Sequence, residues 1–197
     1  MLQFFSIKKY ANMKTIIISL GLIIFSSFGV QAQAQFTKAE LQASGLTCSL
    51  CSNAINKALK TLPFVESVQT DLNKNLFTVA FRAGQTPDID AISKKVEDAG
   101  FSVAKFWLIG DFKSLSVKTE SHAAVNGMNL HFMAVKPQVL NGSQRLQVID
   151  KHFVLAKDFK KFSTETKMPC YQSGTMSDCC KPLQASGNNN RIYHVTI

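Results

Sequence analysis

Nowhere in the 197 residues do lysine and arginine gather into a basic run. The densest stretch is Lys160-Lys161 with Lys157 nearby, although the chain carries a net charge of +9. A nucleic-acid-binding face concentrates its basic residues and interleaves them with aromatics, so these scattered lysines read as solvated surface and no nucleic-acid partner is expected. Long apolar runs are scarce as well. After residue 34 no segment reaches the roughly 20 apolar residues of a membrane-crossing helix, so no stable membrane insertion is expected of the processed chain. Cysteine is limited to five residues, none of them near Ala32-Gln33-Ala34, which excludes a lipid anchor at that point. Acidic residues are few, and the charge is uneven. Residues 35–106 are nearly neutral, with 8 basic against 7 acidic side chains, whereas residues 107–197 hold 11 against 6. A hydrophobic content of 46% is ordinary for a folded chain, and the length suits one large or two small domains.

What is present begins with an address. Met13-Lys14 opens a basic segment, residues 16–30 are apolar but broken by Ser26-Ser27 and Gly29, and Ala32-Gln33-Ala34 offers small residues for cleavage before Gln35. Residues 1–34 are expected to be a signal peptide, with Met13 as an alternative start. The mature protein is then exported, periplasmic or secreted, in a compartment that permits disulfides.

The expected fold class is α+β, with residues 35–106 and 107–197 as two domains. In the first, Ala39, Leu41 and Ala43 alternate with polar residues over 37–44, a strand with one wet face. Ala54, Ile55, Ala58, Leu59 and Leu62 then recur at helical spacing up to Pro63. Residues 65–72 and 76–82 alternate about the turn Asn73-Lys74-Asn75 as a hairpin. Pro87-Asp88 opens a second helix with a buried stripe of Ile89, Ile92, Val96 and Ala99, Gly100 ends it, and residues 101–106 form a last strand. With right-handed crossovers and both helices on one face, β-α-β-β-α-β closes as a ferredoxin-like sandwich. Residues 107–197 show short strand-like segments at 115–119, 128–135, 145–149, 153–156 and 191–197. The turns are Gly127, Asn141-Gly142 and Gly187-Asn188-Asn189-Asn190, and no long helix is evident. A small β-rich barrel or sandwich is expected there. Asn141-Gly142-Ser143 matches a glycosylation acceptor, but a turn accounts for it.

Cys48 and Cys51 lie three apart where the first strand meets the first helix. Unpaired N–H groups and the positive end of the helix dipole favour a thiolate there, and the thiolate is the metal-binding form. Two soft ligands suit monovalent copper, mercuric ion or zinc. A structural zinc site wants four ligands, and residues 35–106 contain neither another cysteine nor a histidine. The open two-ligand site therefore suits carriage of an ion. A closed Cys48–Cys51 disulfide is the alternative.

Gly45-Leu46-Thr47-Cys48-Ser49-Leu50-Cys51, the β-α-β-β-α-β order and Glu97-Asp98-Ala99-Gly100-Phe101 together resemble the heavy-metal-associated domain over about residues 36–106. The resemblance implies that Cys48 and Cys51 bind copper(I) or, as in exported mercury-scavenging members, mercury(II). It also implies that a metal-transfer protein is the partner. Two departures stand out. Leu46 occupies a position where the family often has methionine, at similar volume. Phe101 occupies one where it often has tyrosine or lysine, and phenylalanine can neither donate a hydrogen bond nor neutralise a two-thiolate copper site.

A second group, Cys170, Cys179 and Cys180 with Met168 and Met176, gathers soft donors within thirteen residues. It reads either as a disulfide from Cys170 to Cys179 or Cys180, stapling a loop, or as a second soft-metal site that His131, Met133 or His194 would join from strands. Lone histidines are more often surface or core residues than ligands. The leading expectation is a non-enzymatic, exported copper chaperone or sequestering protein. The competing classes are a thiol-disulfide oxidoreductase, against which the lack of an aromatic beside Cys48 speaks, and a metal-independent interaction module. Oligomeric state is not legible in the sequence.

Overall fold

The computed structural model describes residues 34–46, 48–180 and 190–197. The expected signal peptide lies outside these residues but for Ala34. So do Thr47 and, apart from Asn190, the turn expected at 187–190. The first half follows the expected order: β1 (Gln35–Ser44), α1 (Ser49–Lys60), β2 (Val65–Asp71), β3 (Leu76–Phe81), α2 (Ile89–Asp98) and β4 (Ser102–Val117). The strands lie in the order β2-β3-β1-β4, all antiparallel, which is the ferredoxin-like arrangement. Ala39, Leu41 and Ala43 of β1 are buried, as their alternation requires. They share one core with Ile55 and Leu59 of α1 and with Ile89, Ile92 and Val96 of α2. Ala99 of the expected stripe is only partly buried. The stripe of α1 differs in one respect. Ala54 is exposed and Ser52 is buried in its place, because 52, 55, 59 and 62 form the 3-4-3 ladder that faces the sheet. Asp88 caps α2, its Oδ1 accepting the Ala91 N–H at 3.0 Å, and Gly100 closes it at φ +87°, which only glycine adopts cheaply.

Residues 107–197 do not form the expected barrel or sandwich. β5 (Ser121–Val125), β6 (Met128–Phe132), β7 (Gln138–Val148) and β8 (Ile192–Thr196) extend the same sheet, whose full order is β2-β3-β1-β4-β7-β8-β6-β5. The cause is β4. It runs for 16 residues, pairs with β1 along its first part and carries β7 on its other side from Phe106 to Val117. Residues 106 and 107, where the two domains were expected to divide, are consecutive residues of this strand. β4 would be an exposed edge in an isolated ferredoxin-like unit, and β7 covers it. β6 and β8 pair in parallel; among the described residues every other strand pairing is antiparallel.

Three further expectations give way. Residues 153–156 are no strand: they lead into α3 (Ala156–Ser163), whose Phe159 and Phe162, at i and i+3, pack against Met133, Ile149, Val154 and Tyr171. A five-residue helix, α4 (Pro169–Ser173), and a 3-10 turn (Asp178–Cys180) carry the cysteine cluster. Asn141-Gly142 is no turn but lies within β7, opposite a bulge in β4. Ser114 adopts φ +53° there, and its N–H and hydroxyl both donate to Asn141 Oδ1, at 2.7 and 3.1 Å.

Helix α2 is stitched to the added strands. Asp90 accepts from Arg191 Nε and Nη2 at 2.9 and 3.1 Å and from the Tyr193 hydroxyl at 2.9 Å, while Ser93 donates to the His152 carbonyl at 2.8 Å. At the β1–β4 contact Gly110 faces Phe36, and a Cβ placed on it would lie 2.7 Å from the Gln35 carbonyl oxygen and 2.9 Å from the Phe36 ring. Backbone cannot yield as a side chain can. Gly110→Ala should therefore lower the unfolding free energy by about 1–3 kcal/mol, read as an earlier midpoint in urea; an unchanged midpoint would show that β1 shifts at no cost.

Candidate metal centre

The loop after β1 delivers Cys48 to the N-cap position of α1, with extended backbone angles of φ −149° and ψ 158°. Its carbonyl accepts the Ser52 N–H at 3.4 Å, and its sulfur accepts the Cys51 N–H at 3.4 Å. Cys51 sits one turn into the helix, and the two sulfurs lie 2.8 Å apart. No acidic residue occupies the first turn, while Lys57 and Lys60 stand in the last, so nothing local opposes negative charge at this end. The Cys51 thiol and the Cys51 backbone N–H both hydrogen-bond the Cys48 sulfur and hold its pKa below the ordinary thiol range. Cys48 is exposed and Cys51 half-buried. A shallow depression lined by Leu46, Ser49, Ser52, Leu72 and Asn75 adjoins Cys48. Leu50, between the cysteines, is 78% exposed, and Leu72 is 53% exposed. The pair thus forms an open, two-sulfur site with an apolar rim. Leu46 and Phe101, the two departures from the family pattern, are both partly buried against the main core.

The second cysteine group is enclosed. Cys170 and Cys180 are buried and Cys179 is half-buried, and no disulfide joins any of the five cysteines. The staple from Cys170 to Cys179 or Cys180 is therefore not formed. Cys179 Sγ lies 3.5 Å from Cys180 Sγ and 3.0 Å from Ser177 Oγ. Cys170, Cys180 and Ile192 pack together with Met168 and Met176 alongside. Of the strand residues considered for this group, His131 and His194 reach it, at 3.7 and 3.5 Å from Cys170 Sγ. Met133 does not: it is buried with Ile149, Val154 and Tyr171. Burial, then the neighbouring His194 and His122, hold the His131 pKa below the ordinary imidazole range, so the ring is neutral. Burial pushes the Cys170 thiol well up. His122, Glu120 and Asp150, which also belong to this cluster, carry no motif. Only the strand register reveals them.

Comparison with known proteins follows the same division. Residues 40–102 match the heavy-metal-associated domain. Over 63 residues, 32% of this chain and 91% of the relative, the sequence is 30% identical to the copper chaperone CopZ of Staphylococcus haemolyticus. It is 38% identical over 66 residues to copper-transporting ATPase 1 of Rhizobium meliloti and 28% identical over 116 residues to the probable copper-transporting ATPase HMA5 of Arabidopsis thaliana. Those matches cover 34% and 57% of this chain but only 8% and 11% of the ATPases, so the chain spans about a tenth of their length or less. Among solved structures, the yeast copper transporter domain Ccc2a is 32% identical, covering 33% of this chain and 88% of its own, at a TM-score of 0.31. Through residues 40–102, with Cys48 and Cys51 at the start of its first helix, the chain belongs to the heavy-metal-associated domain family.

Proposed function

We propose that this protein is an exported, non-enzymatic carrier or scavenger of copper(I), which it holds between Cys48 and Cys51 and passes to a protein partner by thiolate exchange. The observation that carries this reading is that both sulfurs meet at one exposed helix N-terminus. Two thiolates are a soft donor set that suits a monovalent d10 ion, and a low-coordinate ion at the surface stays open to a third sulfur. Exchange then needs no bond to break first. A partner thiolate adds to the ion, the three-coordinate complex releases Cys48 or Cys51, and a second partner thiolate displaces the other in the same way. The N–H groups at the start of α1 hold the released thiolate's charge. Leu50 and Leu72 beside the sulfurs supply apolar area that a docking partner would cover. The copper chaperone and copper ATPase relatives support copper over mercury.

Anaerobically reduced protein titrated with copper(I) against a chromophoric chelator should lose one bound equivalent when both Cys48 and Cys51 are replaced by Ser. Either single replacement should weaken that equivalent by at least about 100-fold, since even an outer partner of a ligand is worth about 10–100-fold. Unchanged stoichiometry in the double variant would sink the reading, as would insulin reduction that persists in the presence of a metal chelator. Iodoacetamide labelling of the reduced, metal-free protein tests the thiols themselves. With its pKa lowered, Cys48 should lose reactivity, as pH falls, through a midpoint below that of an unperturbed thiol. Cys170, wholly buried, should be labelled only after unfolding. Peptide mass mapping that finds Cys170 labelled as fast as Cys48 would contradict this. Export predicts that the protein recovered from cells has the mass of a chain starting near Gln35; recovery of the uncleaved mass alone would refute it.

A further inference from the structure

Two consecutive strand pairings put three histidines in one row. His122 of β5 stands opposite His131 of β6, and His131 stands opposite His194 of β8. The first two rings stack with centroids 4.3 Å apart, and the second and third meet edge-on at 4.9 Å. α4 lowers Cys170 onto this row, and its sulfur lies 3.5 Å from His194 Nε2 and 3.7 Å from His131 Nδ1. All three groups are wholly buried. The other nitrogen of each ring is held by a carboxylate. His194 Nδ1 bonds Asp150 Oδ1 at 2.7 Å, and His131 Nε2 bonds Glu120 Oε2 at 2.8 Å. The ring nitrogen opposite each carboxylate bond is the one that faces Cys170, so two imidazole nitrogens converge on one sulfur.

A thiol cannot satisfy that arrangement. Its single proton can bond at most one of the two nitrogens. A third acceptor stands close by. Among the described residues His122 Nε2 is buried with no hydrogen-bond partner, and a ring nitrogen of His122 lies with Cys170 Sγ and Cys180 Sγ inside a sphere of donors no more than 4.8 Å apart. Nitrogen bonds of about 2.0–2.1 Å and sulfur bonds of about 2.3 Å to one tetrahedral ion imply nitrogen-to-sulfur edges of about 3.5–3.6 Å. The two observed edges are 3.5 and 3.7 Å. Carboxylate–histidine pairs of this kind are what orients imidazole ligands around metal ions.

We propose that Cys170, His131 and His194 form a second metal site, buried in the added half of the sheet. It takes one ion of the class that accepts both thiolate and imidazole, copper(I) before zinc(II). Burial requires a neutral complex. Copper(I) reaches neutrality with the Cys170 thiolate and two imidazoles. On binding, the Cys170 proton leaves to solvent. The two sites differ in kind: Cys48 and Cys51 are open and two-ligand, whereas this one is enclosed and supported by Asp150 and Glu120, the geometry of retention. The inference does not rest on the copper-carrier reading of Cys48 and Cys51.

The test uses the full-length, reduced protein with Cys48→Ser and Cys51→Ser, in which the exposed site is absent. Titration with copper(I) and, separately, zinc(II), each against a chromophoric chelator, should show one tightly held equivalent of at least one ion. Whichever ion is retained identifies the occupant. X-ray absorption of the loaded protein should show a mixed nitrogen and sulfur shell. Adding Asp150→Asn should weaken binding by about 10–100-fold, and adding the near-isosteric Cys170→Ser should weaken it more. The proposal is overturned if the double variant holds neither ion stoichiometrically, or if the bound ion shows no sulfur in its shell. Binding unchanged by Cys170→Ser in protein with a native melting curve overturns it as well. If Cys170→Ser does not fold, the absorption spectrum alone decides. Failure of the Cys48–Cys51 reading would appear separately, as identical stoichiometry in the wild type and the double variant.

Discussion

The hydrogen bonding of one strand holds this molecule together. From Ser102 to Val117, β4 pairs with β1 on one side and β7 on the other, so the heavy-metal-associated fold and the residues after it share a single sheet. The backbone groups that β4 would expose as an edge are satisfied by β7. The remaining order follows from that placement: β8 is seated against β7, β6 against β8, and β5 ends the sheet. Helix α2 reinforces the join, because Asp90 reaches Arg191 and Tyr193 at β8 and Ser93 reaches the chain after β7. Changes in the added strands should therefore be felt in the core beneath α1 and α2.

The same sheet displays its soft donors in two environments. At the loop after β1, two sulfurs share a helix N-terminus with solvent, and hydrogen bonds lower the charge penalty of a thiolate. Across the β5-β6-β8 row, sulfur and imidazole face one another without solvent, and burial raises that penalty for Cys170. Exposure suits an ion in transit and enclosure suits one that stays, because ligand exchange needs an approach for the incoming donor.

The first half was legible because its signals are local. Alternation over β1, the 3-4-3 spacing of α1, the Asn73-Lys74-Asn75 turn and the Asp88 and Gly100 caps each act within a few residues, and their order admits few topologies. The two cysteines lie three apart, so their meeting needed only the helix start. The second half misled for the opposite reason. Ser121–Val125 has no clean alternation, the Asn141-Gly142 pair that reads as a turn serves a bulge, and the helix beginning at Ala156 is held by Phe159 and Phe162 against distant residues.

By itself the sequence determined the β-α-β-β-α-β unit, the placing of Cys48 and Cys51 together at a helix start, and the clustering of Cys170, Cys179 and Cys180 along the chain. The three-dimensional pairing adds that the chain after residue 106 continues the same sheet rather than forming a separate barrel or sandwich. It alone decided that His122, His131 and His194 stand in one row, with Asp150 and Glu120 behind the last two. The physical reason is strand register. It is set by pairings between residues as far apart as 63 positions, His131 with His194, and a slip of one residue would turn each histidine to the opposite face.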